Sequence, residues 1–284
     1  MNTTPPTSTE QAALWNGRAG RAWIDGQATL DRMFAPFEDL LADTVRTASA
    51  RRVLDVGCGT GSTTLAAARA AGARGECLGV DISQPMIGVA RERAEREVST
   101  ARFVSADVQT HVFEPASFDL VISRFGVMFF DDPVAAFANL RRAASAHARL
   151  QVIAWRSAAE NPYMTTAERA AAPLLPNLPV RAPGAPGQFA FADRHGVASI
   201  LRESGWRDID IQPIDVECAY PEKDLVGYFT RLGTVGQVLE DADEATRREV
   251  IDTMRAAFDP FVHGDEVRFT AACWAIGAKA PADA

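Results

Sequence analysis

The run Val53-Leu54-Asp55-Val56-Gly57-Cys58-Gly59-Thr60-Gly61 joins strand-type residues to a turn with glycine at alternate positions, and a carboxylate stands at the junction. A short apolar run bounded by glycine reads as a buried strand, and glycines there remove Cβ atoms where backbone bends tightly and approaches a ligand. The helix expected from about Ser62 aims its free N–H groups at the same place. Such a junction suits a ligand with a carboxylate or a polar sugar.

A dinucleotide-binding turn begins the same way but calls for a further glycine where this chain has Ser62. Asp55 would repel a pyrophosphate, whereas S-adenosylmethionine carries no phosphate and brings an ammonium and a sulfonium that favour acidic surroundings. A plain strand-to-helix turn is the competing reading. Gly79-Val80-Asp81-Ile82 closes a second apolar strand about 20 residues further on, where Asp81 can accept both hydroxyls of an adenosine ribose. Phe103-Val104-Ser105-Ala106-Asp107-Val108 reads as a third strand, with Asp107 placed to accept from an adenine amino group and Val108 beside the ring. A simple turn residue is the alternative for Asp107.

From about Arg51 to Trp155 these residues resemble the class I S-adenosylmethionine-dependent methyltransferases. Ser123-Arg124-Phe125-Gly126-Val127-Met128-Phe129-Phe130-Asp131-Asp132-Pro133 is similar to the ubiquinone/menaquinone-biosynthesis (type 11) small-molecule methyltransferases. The resemblance implies an α/β fold: a doubly wound, mostly parallel, seven-stranded Rossmann-like sheet whose last strand is antiparallel, with N-terminal helices and helical lid insertions. It implies S-adenosylmethionine as cofactor and S-adenosylhomocysteine as product. The implied cofactor site comprises Asp55, Gly57, Cys58, Gly59 and Gly61, with Asp55, Gly57 and Gly61 at the methionine part. Asp81 belongs to the ribose, Asp107 and Val108 to the adenine, and Ser123 and Arg124 to the sulfonium neighbourhood, with Ile82 and Met86 also in the cofactor site. Relatives that act by metal or base show a catalytic constellation after the fourth strand, and none is visible here.

A length of 284 residues with 47% hydrophobic content is enough for a full core and suits one domain with insertions. A net charge of -8 argues against nucleic acid, which calls for a basic face. Cys58, Cys77, Cys218 and Cys273 are scattered without a metal or redox spacing, which fits burial in a reduced compartment. The start lacks an apolar signal core, and no run approaches the roughly 18 apolar residues of a spanning helix. A cytoplasmic protein is expected, with homodimerisation left open.

Strands are expected near residues 52–56, 76–80, 102–106, 118–122 and 148–155, alternating with helices near 61–71, 84–97 and 133–146; such alternation predicts a parallel sheet. The domain divides into a disordered tail (1–10), an N-terminal helical cap (11–50), a cofactor-binding core (51–156) and lid insertions at 157–192 and 218–264. A strand near 208–217 and a last strand near 267–276 complete the sheet. The helices before Arg51 read as a cover whose removal leaves the sheet foldable. Asp131-Asp132-Pro133 suggests a metal pair, yet Asp as an N-cap before Pro at the first helical position explains it without one; no metal is expected.

Ligands of open α/β sheets bind beyond the carboxyl ends of the strands. Three covers are available to a small-molecule methyl acceptor there: Trp15, Trp23, Met33 and Phe37 before the sheet, Tyr163 and Phe189 in the first insertion, and Tyr228 and Arg231 (with Phe229) in the second. They predict a mostly apolar, water-poor substrate pocket fit for a quinone or aromatic acceptor. Methyl transfer is an in-line displacement, so a dedicated base is optional. His111, His195 and His263 are candidate bases, and Arg124, Arg156 and Arg231 candidate anion holders. Arg124 follows the fourth strand beside the expected methyl and is the candidate catalytic residue. The alternatives are a nicotinamide dehydrogenase, a binding protein of the same fold and a cofactor-using enzyme that runs a non-transfer reaction.

Overall fold

The computed structural model describes residues 8–179 and 185–282. Helices α1 (Ser8–Asn16), α2 (Arg18–Asp25) and α3 (Gln27–Ala48) precede a sheet built from β1 (Arg52–Val56), β2 (Glu76–Asp81), β3 (Arg102–Ser105), β4 (Phe118–Arg124) and β5 (Ala144–Trp155). Between these strands lie α4 (Ser62–Ala71), α5 (Gln84–Arg96) and α6 (Pro133–Ala143). Then come α7 (Pro162–Ala171), α8 (Arg194–Glu203), β6 (Arg207–Pro221), α9 (Leu225–Arg231), α10 (Gly233–Leu239), α11 (Glu244–Ala257), the two-residue β7 (Val262–His263) and β8 (Glu266–Lys279).

The strand order is β3-β2-β1-β4-β5-β8-β6, with β7 paired to β8. β1 to β5 pair in parallel, and β8 runs antiparallel to both β5 and β6. The expected seven principal strands are present, and β7 adds an eighth. β1 is buried from Val53 to Val56, as a central strand covered on both faces must be, which is why its sequence is a continuous apolar run broken only by Asp55.

β6 and β8 are long, and their length places the lid. β5 ends at Trp155 opposite Cys273, but the β6–β8 ribbon continues through Asp215–Pro221 paired with Ala272–Glu266. Seven more residues at about 3.3 Å each carry the ribbon roughly 23 Å past the carboxyl end of β5. The helices α9 to α11, inserted between its two arms, therefore stand over the rim where ligands of such sheets bind. Strand pairing claims residues 218–221, so the second lid insertion starts after Pro221.

Two other boundaries differ from expectation. α6 stops at Ala143, because Ala144 turns extended and pairs with Phe118 as β5 begins. Helix α1 includes 8–10 of the expected tail; residues 1–7, and 180–184 of the first insertion, lie outside the described residues. The Asp132 carboxylate accepts from the Ala135 N–H at 2.9 Å with Pro133 opening α6, the capping arrangement its sequence suggests.

α3 belongs to the core rather than to a detachable cover. Leu30, Met33, Phe34, Phe37, Leu41 and Val45 recur at helical spacing on one face and are each at most 3% exposed, packed with β1, β4 and β5 residues.

Candidate functional site

The turn after β1 is shaped by glycine where another residue would clash. Gly57 has φ +66°, and a Cβ on it would lie 2.5 Å from Gly126 Cα, so the turns after β1 and β4 touch backbone to backbone. Gly61, at φ +89°, fits under Phe103, whose ring would stand about 3 Å from an added Cβ. Ser123 supports the same contact from beneath: its hydroxyl donates to the Val56 carbonyl at 2.7 Å and accepts from the Gly126 N–H at 3.2 Å.

Around this turn a cavity of about 700 Å³ opens at the carboxyl ends of the strands, within the range of small-molecule sites. Gly57, Cys58, Gly59, Asp81, Ile82, Met86, Asp107, Val108 and Arg124 line it. Asp55, Gly61 and Ser123 do not; they lie behind the wall and hold its shape. Asp55 is 1% exposed, and the Thr64 hydroxyl donates to its Oδ2 at 2.6 Å while Oδ1 has no hydrogen-bond partner. Burial pushes its carboxyl up to about 7.

Asp81 sits at the end of β2 with each oxygen already used once: Oδ2 accepts from the Gly59 N–H and Oδ1 from the Ser83 N–H, both at 2.8 Å. A carboxylate oxygen can accept a second bond, so one site on each oxygen stays available to a vicinal diol. Burial raises this carboxyl above its ordinary value and the backbone bonds oppose the rise. Asp107 accepts from the Gln109 N–H at 2.9 Å, and Asn139 donates to the carbonyls of Val108 and His111, fixing the loop on which Asp107 and Val108 stand.

The first two helices close this polar end. Asn16 Nδ2 donates to the Ile82 carbonyl, the Gln84 N–H donates to Asn16 Oδ1, and the Ser83 hydroxyl donates to the Trp15 carbonyl. Trp15, edge-on to Trp23 and Phe129, thus lies beside the Asp81 loop. Both tryptophans line the cavity, as does Gln11, a residue missing from the sequence reading; Gln11 is 7% exposed and its Oε1 has no hydrogen-bond partner among the described residues.

The other end is aromatic. Phe125 and Trp155 stack at 4.6 Å, and Tyr163, Phe189, Tyr228, Phe229, Phe258 and Arg231 complete the lining. Phe125 holds φ +63°, a left-handed conformation that costs about 1–3 kcal/mol in a non-glycine residue and sets its ring against Trp155. Met33 and Phe37, expected in the pocket, are 0% exposed and absent from its wall. The apolar face of α3 turns them toward the sheet, and Leu30, Asp31 and Phe34 meet the cavity instead.

Arg124 lines the cavity but is held. Its Nη1 pairs with Glu38 at 2.9 Å, and Nη2 donates to the Ser62 hydroxyl at 3.1 Å. Arg156 is bound outside the cavity by Glu160 and Asp215. His111, His195 and His263 do not line the cavity; His195 is 97% exposed at its side chain. Among the described residues no cluster of three or more His, Cys, Asp or Glu side chains suits a metal ion, and no helix is long and apolar enough to cross a membrane.

Residues 53–146 match a family described as "Methyltransferase domain". The chain is 34% identical over 134 residues to the aklanonic acid methyltransferase DauC of Streptomyces sp. (strain C5), covering 45% of this chain and 61% of that one. It is 35% identical over 91 residues to the demethylmenaquinone methyltransferase of Staphylococcus aureus (strain MRSA252), covering 32% and 37%. The matched segment thus spans less than two thirds of these relatives. In fold the chain is similar to the crystal structure of the YcgJ protein from Bacillus subtilis, with a TM-score of 0.55 at 20% identity over 85% of this chain and 97% of that one. With the glycine turn, the acid ending β2 and the antiparallel β8 in place, residues 53–146 match the methyltransferase domain family, on a class I α/β fold.

Proposed function

We propose that the protein is an S-adenosylmethionine-dependent methyltransferase acting on a small, mostly apolar or aromatic molecule. The observation that carries this reading is Asp81, buried at the tip of β2 with one acceptor site left on each oxygen and facing a cavity whose polar end passes into an aromatic chamber. The family match and the methyltransferase names of its relatives support it.

In this reading Asp81 takes the ribose, Asp107 and Val108 the adenine, and the backbone of Gly57 to Thr60 the methionine part. The orphaned Gln11 Oε1 adds an acceptor at the covered end. The cofactor supplies a methyl group on a sulfonium. The chain supplies the rest by position: Phe125, Trp155 and the lid aromatics exclude water and hold the acceptor in line, so that most of the rate comes from orientation. Among the described residues no histidine lines the cavity, but the carboxylates of Asp31 and Glu168 do, so a proton released by the acceptor can pass to one of them or to solvent, and an anionic or amine nucleophile needs no base to attack. The working setting is the cytoplasm, supported by four cysteines that are all free and buried.

Calorimetric titration with S-adenosylhomocysteine, beside NAD and with Asp81→Ala, tests the reading. Binding of the thioether, weakened in the variant by about 1–3 kcal/mol, is expected. Binding of NAD alone would move the protein to hydride transfer.

A further inference from the structure

The chain has three tyrosines, and α7, β6 and α9 bring all of them to one place. The hydroxyls of Tyr163 and Tyr220 lie 2.5 Å apart. The Tyr228 ring stands 5.8 Å from that of Tyr163 and 5.6 Å from that of Tyr220. Burial raises all three phenols above their ordinary range, so each keeps its proton and serves as a donor, not a base. Tyr228, which lines the cavity, spends its proton on Met164 Sδ at 3.6 Å. A thioether is a weak acceptor, and an oxygen entering the chamber offers that proton a better partner.

Arg231 lies three residues further along α9, on the same helix face as Tyr228. It also lines the cavity, is exposed, and forms no hydrogen bond or ion pair among the described residues. The other cation among the described lining residues, Arg124, is neutralised by Glu38. An uncommitted guanidinium and a phenol whose proton rests on a thioether, and which is also hydrogen-bonded to Tyr163, therefore lie about one helical turn apart on the lining of the chamber that holds the Phe125–Trp155 stack.

We infer that Tyr228 and Arg231 form an oxyanion subsite, which holds a carboxylate or phenolate oxygen of a planar, mostly apolar acceptor. The identity of that molecule as a methyl acceptor rests on the proposed function; the subsite itself rests on α9. Both contacts are formed by lid residues, so binding of the oxyanion also fastens α9 over the chamber.

The test is calorimetric titration of the full chain with 2-naphthoate, 2-naphthol and the uncharged 2-naphthamide, each with and without saturating S-adenosylhomocysteine. At least one acid is expected to bind about tenfold tighter than the amide; preference for the naphthoate at neutral pH assigns the carboxylate, and a naphthol preference that strengthens as pH rises toward the ordinary phenol range of about 10 assigns the phenolate. Arg231→Gln, a change at an exposed side chain, should abolish that preference while altering amide affinity less than about twofold, and Tyr228→Phe should weaken the preferred acid about threefold to tenfold. Acids that bind no better than the amide, or a preference that survives both substitutions, overturn the subsite. Failure of S-adenosylhomocysteine to bind overturns the methyl-transfer reading instead, and the titrations without it still decide the subsite.

Discussion

Arg124 Nη1 lies 2.9 Å from Glu38 Oε1, an ion pair that joins the end of β4 to the middle of α3 with side chains only 11% and 15% exposed. The guanidinium also rests over the Phe34 ring at 5.6 Å. A cation expected from the sequence to stand beside the reacting methyl is therefore tied into the wall of the cavity, and the acidic helix residue that holds it lies 86 positions earlier in the chain.

Breaking this pair from one side leaves a nearly buried charge uncompensated. Glu38→Gln is expected to lower stability by about 2–4 kcal/mol, and Glu38→Leu combined with Arg124→Met by less than the two single changes summed. Urea denaturation of the wild type, the singles and the double gives the coupling; strictly additive effects would show that the pair contributes nothing.

The N-terminal helices are separable only in part. A chain starting at Gly26 keeps the core face of α3 and is expected to unfold cooperatively, yet to lose at least about tenfold in S-adenosylhomocysteine affinity, because Gln11, Trp15 and Asn16 are gone. A chain starting at Arg51 loses Leu30, Met33, Phe37 and Leu41 from the core and is expected not to fold, contrary to the reading of these helices as a detachable cover. Thermal melts followed by circular dichroism, with titration of the shorter truncation, check both outcomes.

Val98 ends α5 in a left-handed conformation, φ +51°, with 89% of its surface exposed. Its N–H bonds the Glu95 carbonyl, and the Ser99 N–H bonds the Ala94 carbonyl, the paired bonds of a helix end that favours glycine at this position. Val98→Gly removes the Cβ strain and is expected to stabilise the protein by about 0.5–1 kcal/mol, net of the extra chain entropy of glycine. The midpoint of chemical denaturation reports it, and a fall in the midpoint would contradict it.

Asp55 makes stability depend on pH in a definite direction. Burial pushes its carboxyl up to about 7 from an ordinary 3.8, against the Thr64 hydrogen bond and the Arg124 charge. Between those values the folded protein binds a proton that the unfolded chain has released, so this residue's contribution declines as pH rises through the interval. Asp55→Asn should remove that decline. The stability difference between variant and wild type, measured by denaturation at intervals from pH 5 to 8, is expected to shift in favour of the variant as pH rises; a constant difference would refute the assignment.

The sequence alone determined what depends on neighbours along the chain. The strand-and-glycine run at Val53–Gly61, the acids that end β2 and follow β3, and the Asp132-Pro133 helix start are local patterns with local causes, and the alternation of apolar runs was enough to yield a parallel sheet. Only the tertiary structure decided which of these residues face the cavity. Asp55 and Ser123 turned to the scaffold, Met33 and Phe37 to the core, and Arg124 to Glu38, because helix rotation and ion pairing are settled by contacts between distant segments. The tyrosine cluster is of the same kind. Tyr163, Tyr220 and Tyr228 carry no spacing that announces them, and they meet only because the β6–β8 ribbon runs past the sheet and brings the lid over its rim.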